Sequence, residues 1–118
     1  MPLRLLIVDD NVHFLSAARD LLEREGVTVL GVAATSAEAL QLAQDLQPDV
    51  VLVDVDLGDE NGFDLAQQLA ADEDGRVVLI SAYPEAEFAD LITASPALGF
   101  VSKSELSARA VSDLVESA

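Results

Sequence analysis

The chain has 118 residues, 51% of them hydrophobic, which is enough for one domain with a real core and too few for two ordinary domains. Its 22 acidic residues outnumber 6 basic ones and give a formal charge of −16, which disfavours direct binding to nucleic acid or anionic membranes. The absence of cysteine excludes disulfides, thiol nucleophiles and thiolate metal sites. No apolar run approaches the ~18 residues of a membrane span. We therefore expect a soluble, cytoplasmic, single-domain protein.

The predicted strands are five short apolar runs, at residues 5–8, 27–32, 50–53, 77–80 and 99–101. The runs are rich in β-branched residues and are continuous rather than alternating, which is typical of strands covered on both faces. This pattern predicts a parallel sheet with helices on both sides.

The first two predicted helices have clear boundary signals. Asn11 is placed to cap the first helix, and Gly26 suits its C-terminal end. Thr35 and Glu38 have the spacing of a capping box for the second helix, which must end before Pro48. Both helices therefore follow a predicted strand directly.

Three further helices complete the pattern. The third begins near Phe63 and is closed by an acidic turn at residues 72–75, and the fourth follows Pro84. The fifth begins near Ser104 or Ser107. The strict alternation of strand and helix predicts five βα units in a doubly wound parallel α/β fold.

Polar residues stand at the ends of four predicted strands. Asp9 and Asp10 follow the first strand, Asp54 the third, Ser81 the fourth and Lys103 follows the fifth. The carboxyl ends of parallel strands meet at one edge of the sheet, so these side chains should converge where α/β sheets bind ligands. Three neighbouring carboxylates repel one another unless a hard cation such as Mg²⁺ lies among them. The site is suited to phosphoryl transfer onto a carboxylate, with lysine and hydroxyl groups holding phosphoryl oxygens.

Over essentially its whole length the sequence resembles the receiver domains of two-component response regulators. The matching segments are Val8-Asp9-Asp10, Val53-Asp54-Val55-Asp56-Leu57 with Gly62 after it, Ser81-Ala82, and Gly99-Phe100-Val101-Ser102-Lys103. The resemblance implies one receiver domain over residues 1–118, with a flavodoxin-like fold of five helices and a five-stranded sheet in the order 2-1-3-4-5.

The resemblance also implies roles for the strand-end residues. Asp54 would be the nucleophile that takes a phosphoryl group from a histidine kinase or a histidine phosphotransfer protein. Asp10 and Asp54 would bind Mg²⁺ together with the backbone carbonyl of Asp56, and Asp9 would act mainly through a bound water. Lys103 would pair with the phosphoryl oxygens. Such a domain is a signalling protein rather than an enzyme, although it catalyses its own phosphorylation and dephosphorylation.

The resemblance further implies a switch. Ser81 would move toward the phosphoryl group and Phe100 would rotate inward, remodelling the face formed by the fourth helix, fifth strand and fifth helix. That face would contact an output partner or an output domain outside these residues, and phosphorylation could also drive homodimer formation. Asp56 and Tyr83 each lie two residues beyond the acceptor and the switch hydroxyl, where side chains can flank the attacking water, so we expect them to tune the lifetime of the phosphoryl group. Gly58 stands where many receivers carry proline, which predicts a more mobile loop.

Several alternatives remain open from the sequence. Phe100 could be an ordinary core residue, Ser102 is more simply explained as a strand-end hydroxyl, and His13 has no second ligand that would make it a metal site. A nucleotide-binding protein, flavin-binding protein or small phosphatase could share the architecture, but the chain has neither of the glycine-rich phosphate-binding motifs. A receiver-like module that binds partners without phosphorylation would be expected to have lost an acid or the lysine, and all are present here.

Overall fold

The computed structural model describes residues 3–71 and 76–117. Its main sheet has five strands: β1 Arg4–Val8, β2 Thr28–Ala33, β3 Val50–Asp54, β4 Val77–Ser81 and β5 Gly99–Ser102. Every neighbouring pair is parallel, and the spatial order is β2-β1-β3-β4-β5. The predicted doubly wound sheet and its 2-1-3-4-5 order are therefore confirmed, with each strand within one residue of its predicted bounds.

Five α-helices alternate with the strands: α1 Val12–Arg24, α2 Ser36–Leu46, α3 Gly62–Ala70, α4 Ala89–Ala94 and α5 Ala108–Glu116. Helices α1 and α5 pack on one face of the sheet, and α2, α3 and α4 on the other. β3 and β4 are buried along their whole length, which explains their continuous apolar sequences. Within the described residues, no helix is long and apolar enough to cross a membrane.

The predicted helix starts agree with the structure. Asn11 caps α1 by accepting the N–H groups of His13 and Phe14, and Thr35 caps α2 by accepting that of Glu38. Of the two starts proposed for the fifth helix, Ser107 is correct, because its hydroxyl accepts the N–H of the third helical residue. The turn predicted at residues 72–75 lies outside the described residues.

The fourth helix begins later than its predicted start after Pro84. A 3₁₀ turn at Glu85–Phe88 precedes α4, which has only six residues. Pro96 accounts for its early end, since the residue before a proline avoids helical angles and Ser95 is extended here. A second 3₁₀ turn, Lys103–Glu105, separates β5 from α5.

A short antiparallel ribbon between β3 and α3 was not predicted. Asp56–Leu57 pair with Glu60–Asn61, and we call this segment the 56–61 ribbon. Gly58 in its turn has φ +69°, a conformation that glycine adopts without strain. The mobility predicted for this loop stays a prediction.

Candidate functional site

The carboxyl edge of the sheet brings together the residues predicted from the strand ends. Carboxylate oxygens of Asp9, Asp10 and Asp54 all lie within 4.8 Å of one another. Asp9 is fully buried, Asp54 is 5% exposed, and Asp10 is exposed to solvent. Ser81 is buried beside them, and the Lys103 side chain reaches the same cavity. The predicted convergence is therefore present in the structure.

Three of these strand ends share one local geometry. Asp9 Oδ1 accepts the N–H of Asn11 at 2.9 Å, and Asp54 Oδ1 accepts that of Asp56 at 3.2 Å. Ser81 Oγ accepts the N–H two residues further on at 3.0 Å. Aspartate and serine favour such bonds, which turn the chain away from the strand direction while holding the side chain over the sheet edge. The residue types thus position the site locally.

Lys103 bridges two of the carboxylates. Its Nζ lies 2.5 Å from Asp9 Oδ2 and 3.3 Å from Asp54 Oδ2. The same ammonium lies 4.3 Å from the centroid of the Phe14 ring, a cation–π contact. This contact with Phe14 was not predicted from the sequence. The position of Phe14 one turn after the Asn11 cap, beside the strand end that carries Asp9, was the signal available for it.

The charges of the pocket are incompletely balanced. Burial, followed by the nearby charge of Asp9, raises the pKa of Asp54 to about 6, although the Asp56 N–H and Lys103 act in the opposite direction. Burial lowers the pKa of Lys103, but the bond to Asp9 and the charges of Asp54 and Asp9 raise it more, so its net pKa lies above the usual value. Lys103 therefore stays positively charged, while the pocket only partly stabilises the negative charge of Asp54.

The pocket is an open cavity of about 210 Å³. Since a water molecule occupies about 30 Å³, this volume accommodates a small hydrated cation together with a phosphoryl-sized group. Asp56 and Tyr83 line its rim, both exposed, and Gly58 of the ribbon closes one side. The two residues predicted to act on the attacking water thus lie where bulk water meets the pocket.

Gly62 holds the chain after Asp54 close to α3. Its N–H donates to the carbonyl oxygen of Val55 at 3.1 Å. A methyl group at this position would overlap the Asp54 carbonyl oxygen and lie 2.7 Å from the Val55 Cα, contacts that no packed structure tolerates. Only glycine therefore fits there, a positioning role that could not be deduced without the fold.

Phe100 lies outside the acidic pocket. It is half-buried, its ring centroid is 6.3 Å from that of Phe88, and Phe88 is 6.1 Å from Phe63. Phe100 also lines a cavity of about 620 Å³ between β5, α5 and the segment after β4. Ala82 lines both cavities, so the residue after Ser81 separates the acidic pocket from this second groove.

The remaining polar candidates have ordinary surroundings. Ser102 Oγ lies 3.1 Å from Ser104 Oγ at the end of β5, consistent with a strand-end hydroxyl. His13 is exposed on α1 and lies outside the acid cluster.

Comparisons with known proteins agree with this geometry. The family model for the response regulator receiver domain matches residues 5–115. A Pseudomonas aeruginosa protein assigned to the transcriptional regulators is 36% identical over 103 residues, which are 86% of this chain and 50% of that protein. The DNA-binding transcriptional activator EvgA of Escherichia coli K12 is 30% identical over 101 residues, which are 85% of this chain and 50% of EvgA.

Solved structures give the same result. The signal receiver domain assigned to the response regulator NarL of Mycobacterium tuberculosis has a TM-score of 0.86 at 29% identity, covering 99% of this chain and 98% of that one. A LuxR-family two-component response regulator from Aurantimonas sp. SI85-9A1 has a TM-score of 0.87 at 25% identity, covering 99% and 87%. The chain spans about half the length of the two curated relatives named above.

Proposed function

Because this chain belongs to the response regulator receiver domain family, we propose that it takes a phosphoryl group on Asp54 from a histidine kinase or a histidine phosphotransfer protein. The donor's N–P bond breaks, and a bond forms between phosphorus and an Asp54 carboxylate oxygen. The observation that carries this proposal is the convergence of three carboxylates, Lys103 and Ser81 in one pocket. At neutral pH a carboxyl group with a pKa of about 6 is mostly ionised, as a nucleophile must be.

Mg²⁺ is the proposed cofactor. The pocket offers hard oxygen ligands. Burial and, after it, the negative charge of Asp9 raise the pKa of Asp54, and a bound cation would offset that charge. Asp10 and Asp54 would bind the ion with the backbone carbonyl of Asp56, whereas Asp9, which is buried and paired with Lys103, would act through a bound water. When bound, Mg²⁺ neutralises charge on the transferring phosphoryl oxygens.

Lys103 and Ser81 would hold oxygens of the phosphoryl group. The Lys103 ammonium lies 3.3 Å from Asp54 Oδ2, so a small movement would carry it to an oxygen of a phosphoryl group on Asp54. The Ser81 hydroxyl now accepts a backbone N–H and has its own proton free to donate. A move of Ser81 toward the phosphoryl group would pull on the segment that lines both cavities.

This segment connects the site to the proposed output face of α4, β5 and α5. Phe100 is half-buried between the Phe88 ring and the 620 Å³ groove, which leaves room for the inward rotation expected of a switch residue. The output partner would be another protein or a domain outside these residues, with homodimer formation as a further consequence. The charge of −16 argues against DNA binding by this chain itself. We place the protein in the cytoplasm, with residues 1–118 acting as one receiver domain.

The test is intact mass after incubation with acetyl phosphate. We expect a single phosphoryl adduct on the wild type in the presence of Mg²⁺, and none on Asp54→Asn or in a chelated sample. Asp59→Asn, an exposed acid of the 56–61 ribbon, is the matched control and should be modified like the wild type. No adduct under any condition would favour a module that binds partners without phosphorylation.

We also propose that Asp56 and Tyr83 tune phosphoryl lifetime. Both line the rim of the pocket, where water approaches the acceptor, and Tyr83 is 56% exposed. Asp56→Asn and Tyr83→Ala should each change the dephosphorylation rate about threefold or more. This is less than the ~100-fold effect of a direct general acid or base, because the two residues would only flank the attacking water. The measurement is decay of the adduct after removal of acetyl phosphate. Rates equal to that of the wild type in both variants would contradict this role.

A further inference from the structure

The 56–61 ribbon is tied to α2 by one long-range hydrogen bond. Glu60 Oε1 accepts the N–H of Ser36 at 2.9 Å, 24 residues away in the sequence. Ser36 is the first residue of α2, where backbone N–H groups have no partner within the helix. The Thr35 cap uses a different donor, the N–H of Glu38, so the two bonds do not compete. The Glu60 carboxylate also lies at the positive end of the helix dipole, which stabilises it there.

The same ribbon forms one wall of the acidic pocket. Asp56 donates its N–H to Asp54, and a methyl group on Gly58 would lie 3.0 Å from Asp10 Oδ2. The strand that carries Asp56 is paired in register with the strand that carries Glu60. A shift of Glu60 would therefore be transmitted across the ribbon to the Asp56 carbonyl.

We propose that Glu60 is a positioning residue for the Mg²⁺ site, which it serves by holding the ribbon, and with it Asp56, against α2. This inference rests on the metal site proposed above and adds a residue that does not touch the ion. Residues that orient metal ligands from outside typically change metal affinity by about 10-fold to 100-fold when removed. A single exposed hydrogen bond belongs at the lower end of that range or below it.

The competing anchor is Leu57. Its side chain is buried in the core on the α2 side of the sheet, and hydrophobic packing alone could fix the ribbon. The two anchors differ in what removal of the Glu60 carboxylate does to metal binding, since packing of Leu57 does not depend on it.

The first experiment is a calorimetric titration with Mg²⁺ alone. We expect Glu60→Ala to raise the Kd for Mg²⁺ about fivefold to tenfold. Glu60→Gln keeps an oxygen that accepts the Ser36 N–H and should stay within about twofold of the wild type. Asp59→Ala removes an equal charge from the same turn without removing the hydrogen bond, and should also stay within about twofold.

The second variant removes the donor instead of the acceptor. Ser36→Pro lacks the N–H, and proline is favoured at the first position of a helix. The preceding Thr35 is already extended at φ −134° and ψ 162°, as a residue before proline must be. We expect Ser36→Pro to raise the Kd as much as Glu60→Ala does, and the double variant to be no weaker than either single one.

Four results would overturn the inference. An unchanged Kd in Glu60→Ala would show that Leu57 is sufficient. Equal weakening in Asp59→Ala and Glu60→Ala would show a simple charge effect, and additive losses in the double variant would show that the two residues act separately. A wild type that does not bind Mg²⁺ would reject the proposed metal site itself, and this inference with it, which distinguishes the two failures.

Discussion

Lys103→Ala should lower the free energy of unfolding by about 3 kcal/mol at pH 7.5 without Mg²⁺, because it leaves the buried Asp9 carboxylate without a counter-charge. Within the described residues, Asp9 Oδ2 has no polar partner other than Lys103. The variant should also slow phosphorylation of Asp54 by acetyl phosphate about 100-fold, the usual cost of losing one group that stabilises developing charge. Urea unfolding followed by circular dichroism and intact mass against time measure the two effects.

Two further variants separate the loss of a charge partner from a general packing defect. Replacing the buried anion as well, in Asp9→Asn with Lys103→Ala, should restore most of the lost stability while phosphorylation stays slow. Arg109→Ala removes a cation whose side chain is 91% exposed and 3.9 Å from Asp113, and its effect should be within about 0.5 kcal/mol. If the single and double variants at the site were equally unstable, the stability loss would come from packing around Phe14 rather than from charge.

The sequence predicted those parts of the fold that repeat or have strong local signals. Continuous β-branched runs located all five strands of the main sheet, and cap residues such as Asn11 and Thr35 located helix starts. The site followed from one geometric rule, that parallel strands end at a common edge, so Asp9, Asp54 and Lys103 converge although they are far apart in the sequence.

Two of the features that were not predicted depend on contacts between distant segments. A ribbon with two residues in each strand shows no hydrophobic periodicity, and its hydrogen bond from Glu60 to α2 joins residues that are 24 positions apart in the sequence. The split of the fourth helix into a 3₁₀ turn and six α-helical residues has no pattern of its own beyond the flanking prolines, Pro84 and Pro96. The contact of Lys103 with Phe14 joins the first helix to the end of the fifth strand, two segments that are far apart in the sequence.

Asp54→Asn should be more stable than the wild type at pH 7.5 without Mg²⁺, by about 1–2 kcal/mol. The pKa of Asp54 is about 6 in the folded protein against an ordinary value of 3.8. Between pH 3.8 and about pH 6, the folded state therefore holds a proton that the unfolded chain has released. The contribution of this group to stability is therefore present below pH 4 and is lost as the pH rises through 6. The full shift corresponds to about 3 kcal/mol, which partial solvent access reduces.

Mg²⁺ should reverse this ranking. A cation bound only by the folded wild type stabilises it by about 2.7 kcal/mol at a concentration 100-fold above its Kd, which exceeds the gain from removing the charge. Asp54→Asn lacks one of the proposed ligands and should gain much less. The measurement is urea unfolding of both proteins at pH 5 and pH 7.5, with and without Mg²⁺, and Asp59→Asn should follow the wild type in all four conditions.

Unfolding without Mg²⁺ tests the electrostatic prediction, and unfolding with Mg²⁺ tests the metal site. Without Mg²⁺, the advantage of Asp54→Asn should shrink as the pH falls toward 5, because the wild-type carboxyl group becomes protonated in the folded state. An asparagine variant less stable than the wild type at pH 7.5 would mean that Lys103 and the Asp56 N–H together outweigh burial and the charge of Asp9. If Mg²⁺ stabilised both proteins equally, Asp54 would not be a ligand, and Asp9 and Asp10 alone would hold the ion.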